Sequence, residues 1–208
     1  MLKVYGFPNS RSMRVVWTLE EVGAEYDYVK VDLRSGENFR SPFTALNPGG
    51  KVPALVDGDF VLTESAAICT YIGDQYPAAG LVPTASTRQR AQYHQWCSFV
   101  ISELEQPLWT IGKHRFALPE NRRVPAITDT ALWEFSVAAK VLDKGLGDRE
   151  FIVGDRFSIA DILVAHTLAW AKAYKIPLGS ERLDAYAGRL LARPALARAK
   201  AREQEQRE

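Results

Sequence analysis

The sequence predicts an α/β domain at the N-terminus followed by an all-α helical domain. Three observations predict this. Short apolar runs bounded by Pro, Asn and Gly are confined to roughly the first 78 residues. A stretch from Ala78 to Thr87 carrying Gly80, Pro83 and Ser86 follows them. Beyond it no convincing strand pair occurs, only apolar positions three and four residues apart. The expected boundaries are 1–78 for the first domain, 79–87 for a linker and 88–208 for the helical domain.

The first domain opens β-α-β. Leu2 to Phe7 is a short apolar and aromatic run ended by Pro8 and Asn9. Val15, Val16, Leu19 and Val22 then recur at helical spacing, and Gly23 suits a helix C-cap. Tyr26 to Val31 reads as the second strand, parallel to the first because a helix supplies the crossover. Ser35 to Pro48 is polar and broken by Gly36, Pro42 and Pro48, so it reads as a loop with at most a short helix. Val52 to Val56 and Phe60 to Leu62 flank Asp57-Gly58, a hairpin signal. A helix opens at Ser65, carries Ile68, Cys69 and Ile72 inward and stops before Pro77. The order βαβ then ββα is a thioredoxin-like arrangement.

In the second domain, Arg88 to Phe116 reads as mainly helical, with breaks at Pro107 and Gly112. Pro125 to Lys144 is a further helix, with proline near its start. Ser158 to Tyr174 is the most apolar and therefore central. Glu181 to Ala192 and Ala195 to Lys200 are shorter pieces, and Arg202 to Glu208 is a polar tail expected to fray.

Composition removes several function classes. The chain has 208 residues, 47% of them hydrophobic, with 26 Lys and Arg against 25 Asp and Glu. A net charge of +1 lacks the basic excess of a nucleic-acid binder. No apolar run approaches the roughly 20 residues that span a bilayer, so no membrane partner is expected. The N-terminus does not read as a signal peptide, which makes a cytoplasmic location the expectation. Cys69 and Cys97 form no C-x-x-C pair, and His94, His114 and His166 show no ligand spacing, so no metal is expected.

Three short motifs stand out. In Gly50-Lys51-Val52-Pro53-Ala54-Leu55, proline enters a strand and cannot donate to its ladder. A cis Val52-Pro53 bond would turn the Val52 N–H and C=O outward to pair with a peptide backbone; a trans proline at a strand entrance is the plain alternative. In Thr63-Glu64-Ser65-Ala66, a helix starts directly after a strand. Free N–H groups at a helix N-terminus suit a carboxylate. The Ser65 hydroxyl adds a contact, and Glu64 suits an ammonium; an ordinary N-cap is the alternative. Ser158-Ile159-Ala160-Asp161 is a capping-box pattern with Phe157 and Ile162 as its staple, a structural signal only.

Taken in order and spacing, these motifs, with Arg193-Pro194-Ala195 near the end, resemble the soluble glutathione transferase family, in its serine-type or a related bacterial-like branch. The match covers nearly the whole chain. The resemblance implies a thioredoxin-like domain plus a helical domain, a homodimer, and glutathione as co-substrate. It implies that Val52, beside Pro53, pairs with the cysteinyl backbone of glutathione and that Glu64 and Ser65 hold the γ-glutamyl end. It also implies that Lys51 lies near the glycyl carboxylate, with Asn38 and Arg40 in a neighbouring loop.

Family members activate the thiol with a Tyr, Ser or Cys between the first strand and first helix. No cysteine precedes Cys69, which excludes the cysteine type. Ser10 is the leading candidate, at serine-type spacing from Arg14 and before a helix N-terminus that favours an anion. Tyr5 and Asn9 are the rivals, and Ser12 competes with Ser10 as a helix cap. Phe7, Tyr93, Trp96 and Val100 are candidate walls for a second substrate between the domains, with Trp109 and Phe116 as further aromatics. The expected activity is detoxifying conjugation of glutathione to a small electrophilic, partly apolar molecule. Glutathione-dependent peroxide or disulfide reduction, and a non-catalytic interaction module, are the alternatives.

Overall fold

In the computed structural model, residues 1–205 are described and divide into two compact units. The first holds Met1–Val82 together with the segment from Ala192 onward; the second holds Pro83–Leu191.

The first unit is built on a four-stranded sheet in the order β2-β1-β3-β4. Strand β1 (Leu2–Gly6) pairs in parallel with β2 (Tyr26–Lys30) and antiparallel with β3 (Ala54–Asp57), and β3 pairs antiparallel with β4 (Phe60–Thr63). Side chains alternate across a strand. Val4 and Gly6 therefore face one side and Tyr5 the other. On the Gly6 side lies helix α1 (Ser12–Val22): a Cβ at Gly6 would stand 2.7 Å from Ser12 Cβ and 2.8 Å from the Tyr28 ring. Glycine there lets the helix start tight against the strand. Helix α1 buries Val15, Val16, Trp17 and Leu19 and stops at Gly23, whose φ of 67° suits a residue without Cβ. Helix α3 (Ser65–Gln75) packs beside α1.

On the Tyr5 side the loop read from Ser35 to Pro48 forms a 3₁₀ turn, Glu37–Phe39, and a one-turn helix α2 (Phe43–Leu46). Phe43, Val31 and Ala54 make a small core there, packed by Tyr5, Leu33, Leu46 and Val52.

The second unit is helical. Helix α4 (Arg88–Phe99) is capped by the Thr87 hydroxyl, which accepts the Arg90 N–H at 3.1 Å. The chain then widens into a π-helical turn, Val100–Leu104, before α5 (Glu105–Gly112). Here the structure departs from the expected break at Pro107, which sits inside α5. Proline lacks an N–H and its ring crowds the carbonyl four residues back, Glu103. The π turn contains that carbonyl and opens the ladder around it. A second π turn, Lys113–Ala117, replaces the expected break at Gly112. Helices α6 (Ile127–Leu146), α7 (Ile159–Ala173) and α8 (Glu181–Leu191) complete the unit, with α7 buried along most of its length.

The largest departure is at the C-terminus. Helix α9 (Pro194–Glu205) runs five residues past the expected Lys200 and packs on α1 and β2, in the first unit rather than with the other helices. Leu196, Ala199 and Glu203 are buried. The expected fraying is therefore corrected from Arg202 to Glu205; residues 206–208 lie outside the described residues.

Candidate functional site

The sheet register puts three loops side by side. Tyr5 of β1 faces Ala54 of β3, and Ala54 faces Thr63 of β4. One residue further, the chain leaves β1 at Gly6, enters β3 from Pro53 and leaves β4 at Glu64. The segments holding Ser10, Val52 and Ser65 thus emerge from one end of the sheet.

The Val52–Pro53 peptide is cis, and Val52 lies ahead of the first ladder residue, Ala54, so its backbone stands outside the sheet pairing. Two asparagines brace this loop. Asn38 Nδ2 donates to the Gly50 carbonyl and Asn47 Nδ2 to the Lys51 carbonyl, each at 2.7 Å. Gly50 has φ of 60°, and a Cβ on it would meet the Phe39 ring at 2.7 Å. Lys51 is exposed at the tip. Arg40 is turned to its own loop, donating to the Ser35 carbonyl at 2.7 Å.

Glu64 and Ser65 open α3. Glu64 is the cap residue, in the left-handed region at φ 66°, ψ 113°, and its side chain is exposed. Such a conformation costs on the order of 1–3 kcal/mol and is concentrated at functional sites. Ser65 is the first helical residue, 4% exposed, and its hydroxyl accepts from Arg14 Nη1 at 3.2 Å. It is thus not a plain N-cap. Arg14 is fully buried and adds a permanent cation beneath a helix N-terminus that already favours anions. From sequence, Arg14 served only as a spacing marker; a lone arginine inside Met13-Arg14-Val15-Val16-Trp17 was the available signal.

The turn from β1 to α1 holds the thiol-activating candidates. Asn9 is exposed at φ 61°, a left-handed turn that Asn tolerates better than most residues. Ser10 Oγ receives the Ser12 N–H at 3.2 Å and shares a proton with Ser12 Oγ at 2.9 Å. Ser12 is buried and committed inward: it receives the Phe7 N–H at 3.1 Å and faces the Phe7 carbonyl at 2.9 Å and Glu203 Oε1 at 3.0 Å. The Tyr5 ring packs against Phe43 with centroids 6.2 Å apart, on the far side of the sheet from α1. Glu203 was not singled out from sequence. Its signal was spacing: Ala195, Leu196, Ala199 and Glu203 fall on one helical stripe.

The expected second-substrate walls divide. Phe7 is half-buried at the end of β1, with the Arg34 guanidinium 6.0 Å from its ring centroid. Tyr93, Trp96 and Val100 are buried within the helical unit. Tyr93 and Val100 expose no surface, and the Trp96 ring lies so close to α6 that a Cβ on Gly145 would stand 2.2 Å from it. Aromatics at helical spacing here fill a core. A shallow hollow of about 650 Å³, lined by Met1, Leu2, Asp57, Tyr71 and Tyr76 among others, lies at the opposite end of the sheet from Ser10. Cys69 and Cys97 are both buried, and burial pushes the Cys69 thiol up to about 12, which leaves it without nucleophilic thiolate near neutrality.

Residues 1–74 match the family model "Glutathione S-transferase, N-terminal domain" and residues 108–194 the model "Glutathione S-transferase, C-terminal domain". A zeta-class glutathione S-transferase of Euphorbia esula is 34% identical over 167 residues, 78% of this chain and 72% of that protein. The glutathione S-transferase GstA of Escherichia coli O157:H7 is 31% identical over 197 residues, 93% of this chain and 94% of that one. A sphingomonad glutathione S-transferase, solved in complex with glutathione, superposes with a TM-score of 0.85 at 33% identity, over 97% of this chain and 98% of that one.

Proposed function

Because the chain belongs to the glutathione S-transferase family, we propose that it conjugates glutathione to a small electrophilic, partly apolar molecule. The observation that carries this is the shared end of the sheet at which Ser10, the Val52 backbone and the α3 N-terminus emerge. Each segment offers what one part of the tripeptide needs. The unpaired edge at Val52 suits the cysteinyl N–H and C=O. The α3 N-terminus, with Ser65 and buried Arg14 behind it, suits the γ-glutamyl carboxylate, and exposed Glu64 suits the ammonium on the same carbon. Lys51 suits the glycyl carboxylate.

Chemistry then requires a thiolate. A free thiol ionises at about 8.5, and a Ser10 hydroxyl donating to sulfur, beside the start of α1, stabilises the anion. The thiol proton passes to solvent. The sulfur lone pair forms the new C–S bond as the electrophile's leaving group departs with its bonding pair, or as an epoxide C–O bond opens onto oxygen.

Retention on immobilised glutathione, followed by assays with aryl halides, epoxides and hydroperoxides, tests the reading. Conjugation of an aryl halide or epoxide is expected. Turnover of hydroperoxides alone would replace conjugation by reduction. Glu64→Ala and Ser65→Ala each remove a hydrogen bond to a charged group, worth about 1.5–3 kcal/mol. Calorimetry should show glutathione affinity falling at least about tenfold in each, and unchanged affinity in both would remove the α3 N-terminus from the site.

The chain is further proposed to work as a cytoplasmic homodimer, as a C2 pair of identical subunits. Cys69 and Cys97 are buried thiols outside any disulfide, which suits a reducing compartment. Sedimentation at micromolar concentration should give twice the chain mass, and a monomer would contradict the pairing.

A further inference from the structure

One buried ionisable group lies behind the residues that face glutathione. Glu203 of α9 is 1% exposed and reaches the turn before α1, where Ser12 Oγ lies 3.0 Å from its Oε1. The Asn9 backbone N–H also donates to this carboxyl. Ser12 Oγ lies 2.9 Å from Ser10 Oγ. An unbroken chain of polar atoms thus runs from the last helix to the thiol-activating candidate.

Counting protons gives the chain a direction. A serine hydroxyl has one proton to donate and two lone pairs. At Ser12 one lone pair takes the Phe7 N–H. When Glu203 is ionised it only accepts, so Ser12 donates to it and the second Ser12 lone pair draws in the Ser10 proton. When Glu203 is protonated its O–H donates to Ser12 and both lone pairs are filled. Ser12 then donates to Ser10 or to the Phe7 carbonyl, and no longer takes up the Ser10 proton.

We propose that Glu203, acting through Ser12, sets the direction in which the Ser10 hydroxyl donates, and is therefore a positioning residue for thiol activation. This rests on the reading of Ser10 given above. Burial pushes the carboxyl up to about 7, against hydrogen bonds from Ser12 and Asn9 and the nearby Tyr28 hydroxyl, which lower it, so both states are populated near neutrality. Among the described residues, the groups that face it are Ser12 from α1, the Asn9 amide from the turn, and Tyr28 from β2. The buried Tyr28 hydroxyl is near both Glu203 and Ser12 but makes no well-aligned hydrogen bond. Arg14 pairs with Ser65, Arg193 with Glu21, Arg198 with Glu20, and Arg202 with Glu205 and the Tyr26 carbonyl.

The test is ultraviolet titration of the bound glutathione thiolate in wild type, Glu203→Gln, Ser10→Ala and the double variant. In Glu203→Gln the side-chain amide donates to Ser12 as the protonated acid does, at every pH. Glu203→Gln should therefore raise the thiol acid constant about three- to tenfold, part of a hydrogen bond to an anion, and should do nothing once Ser10 is alanine. An equal rise in the Ser10→Ala background would mean that the Glu203 charge acts through space, and overturns the relay. No rise with Ser10 present overturns it as well. Ser10→Ala alone tests the reading of Ser10: an unchanged thiol pKa there removes that reading, and the relay with it, whatever happens at 203. If Glu203→Gln does not fold, the wild-type curve still decides. The relay predicts a titration shallower than one proton between pH 6 and 8, and a one-proton curve of the same shape as that of Ser10→Ala contradicts it.

Discussion

Glu203 also leaves a mark on stability. Its folded pKa of about 7 stands above the ordinary value of 4.5. The folded state therefore holds a proton that the unfolded state has released between those two values, and stability falls as pH rises through that window. At about 1.36 kcal/mol per unit the loss approaches 3 kcal/mol by pH 7 and changes little above it. Denaturant unfolding at pH 5 and pH 8 should show wild type losing stability while Glu203→Gln stays level; parallel losses in both would place the titrating group elsewhere. This residue was readable only in part. The helical stripe through Ala195, Leu196 and Ala199 was present in the sequence, but a glutamate ending it reads as solvated until a tertiary partner is seen. Arg14 and Ser12 were obscured for the same reason: burial of a polar side chain depends on partners 51 and 191 residues away.

Local chemistry made the elements legible. The αL glycine at 23, the Asp57-Gly58 turn and the Ser158-x-x-Asp161 pattern each act within a few residues, and each ends or starts an element where the sequence implied. The capping pattern does more than expected. Asp161 is fully buried and accepts from the Ser158 N–H and hydroxyl at 2.8 and 2.9 Å, the Ile152 N–H at 2.8 Å and the Tyr186 hydroxyl at 2.5 Å. Desolvation raises its pKa, opposed by those same hydrogen bonds. A simple cap is worth about 1 kcal/mol. Asp161→Ala instead strands several buried donors at about 1–3 kcal/mol each. Thermal unfolding should show a loss above about 3 kcal/mol, with turnover per folded molecule unchanged. A loss near 1 kcal/mol would mean the donors find other partners. Pro107 shows the limit of such local rules: proline signals a break, yet a π turn one step upstream lets the helix continue.

At the scale of the whole molecule, the order of elements identified the fold, and the family motifs lay in loops whose alignment only the sheet register reveals. What sequence order hides is that α9 returns to the first unit. Helices that follow one another usually pack together, and nothing local says that the last one leaves its neighbours to join α1 by the Arg193–Glu21 pair at 2.6 Å and the Glu203–Ser12 contact. The proposed chemistry requires that this chain bind glutathione and hold its sulfur as an anion at Ser10. The direct measurement is ultraviolet titration of the bound thiol in the full chain and in Ser10→Ala, with Tyr5→Phe and Asn9→Ala as controls. A hydrogen bond to an anion contributes about 1.5–3 kcal/mol, so at about 1.36 kcal/mol per unit the thiol pKa should rise by about one to two units in Ser10→Ala alone, with glutathione still bound. An unchanged pKa in Ser10→Ala together with a rise in Tyr5→Phe would contradict the account.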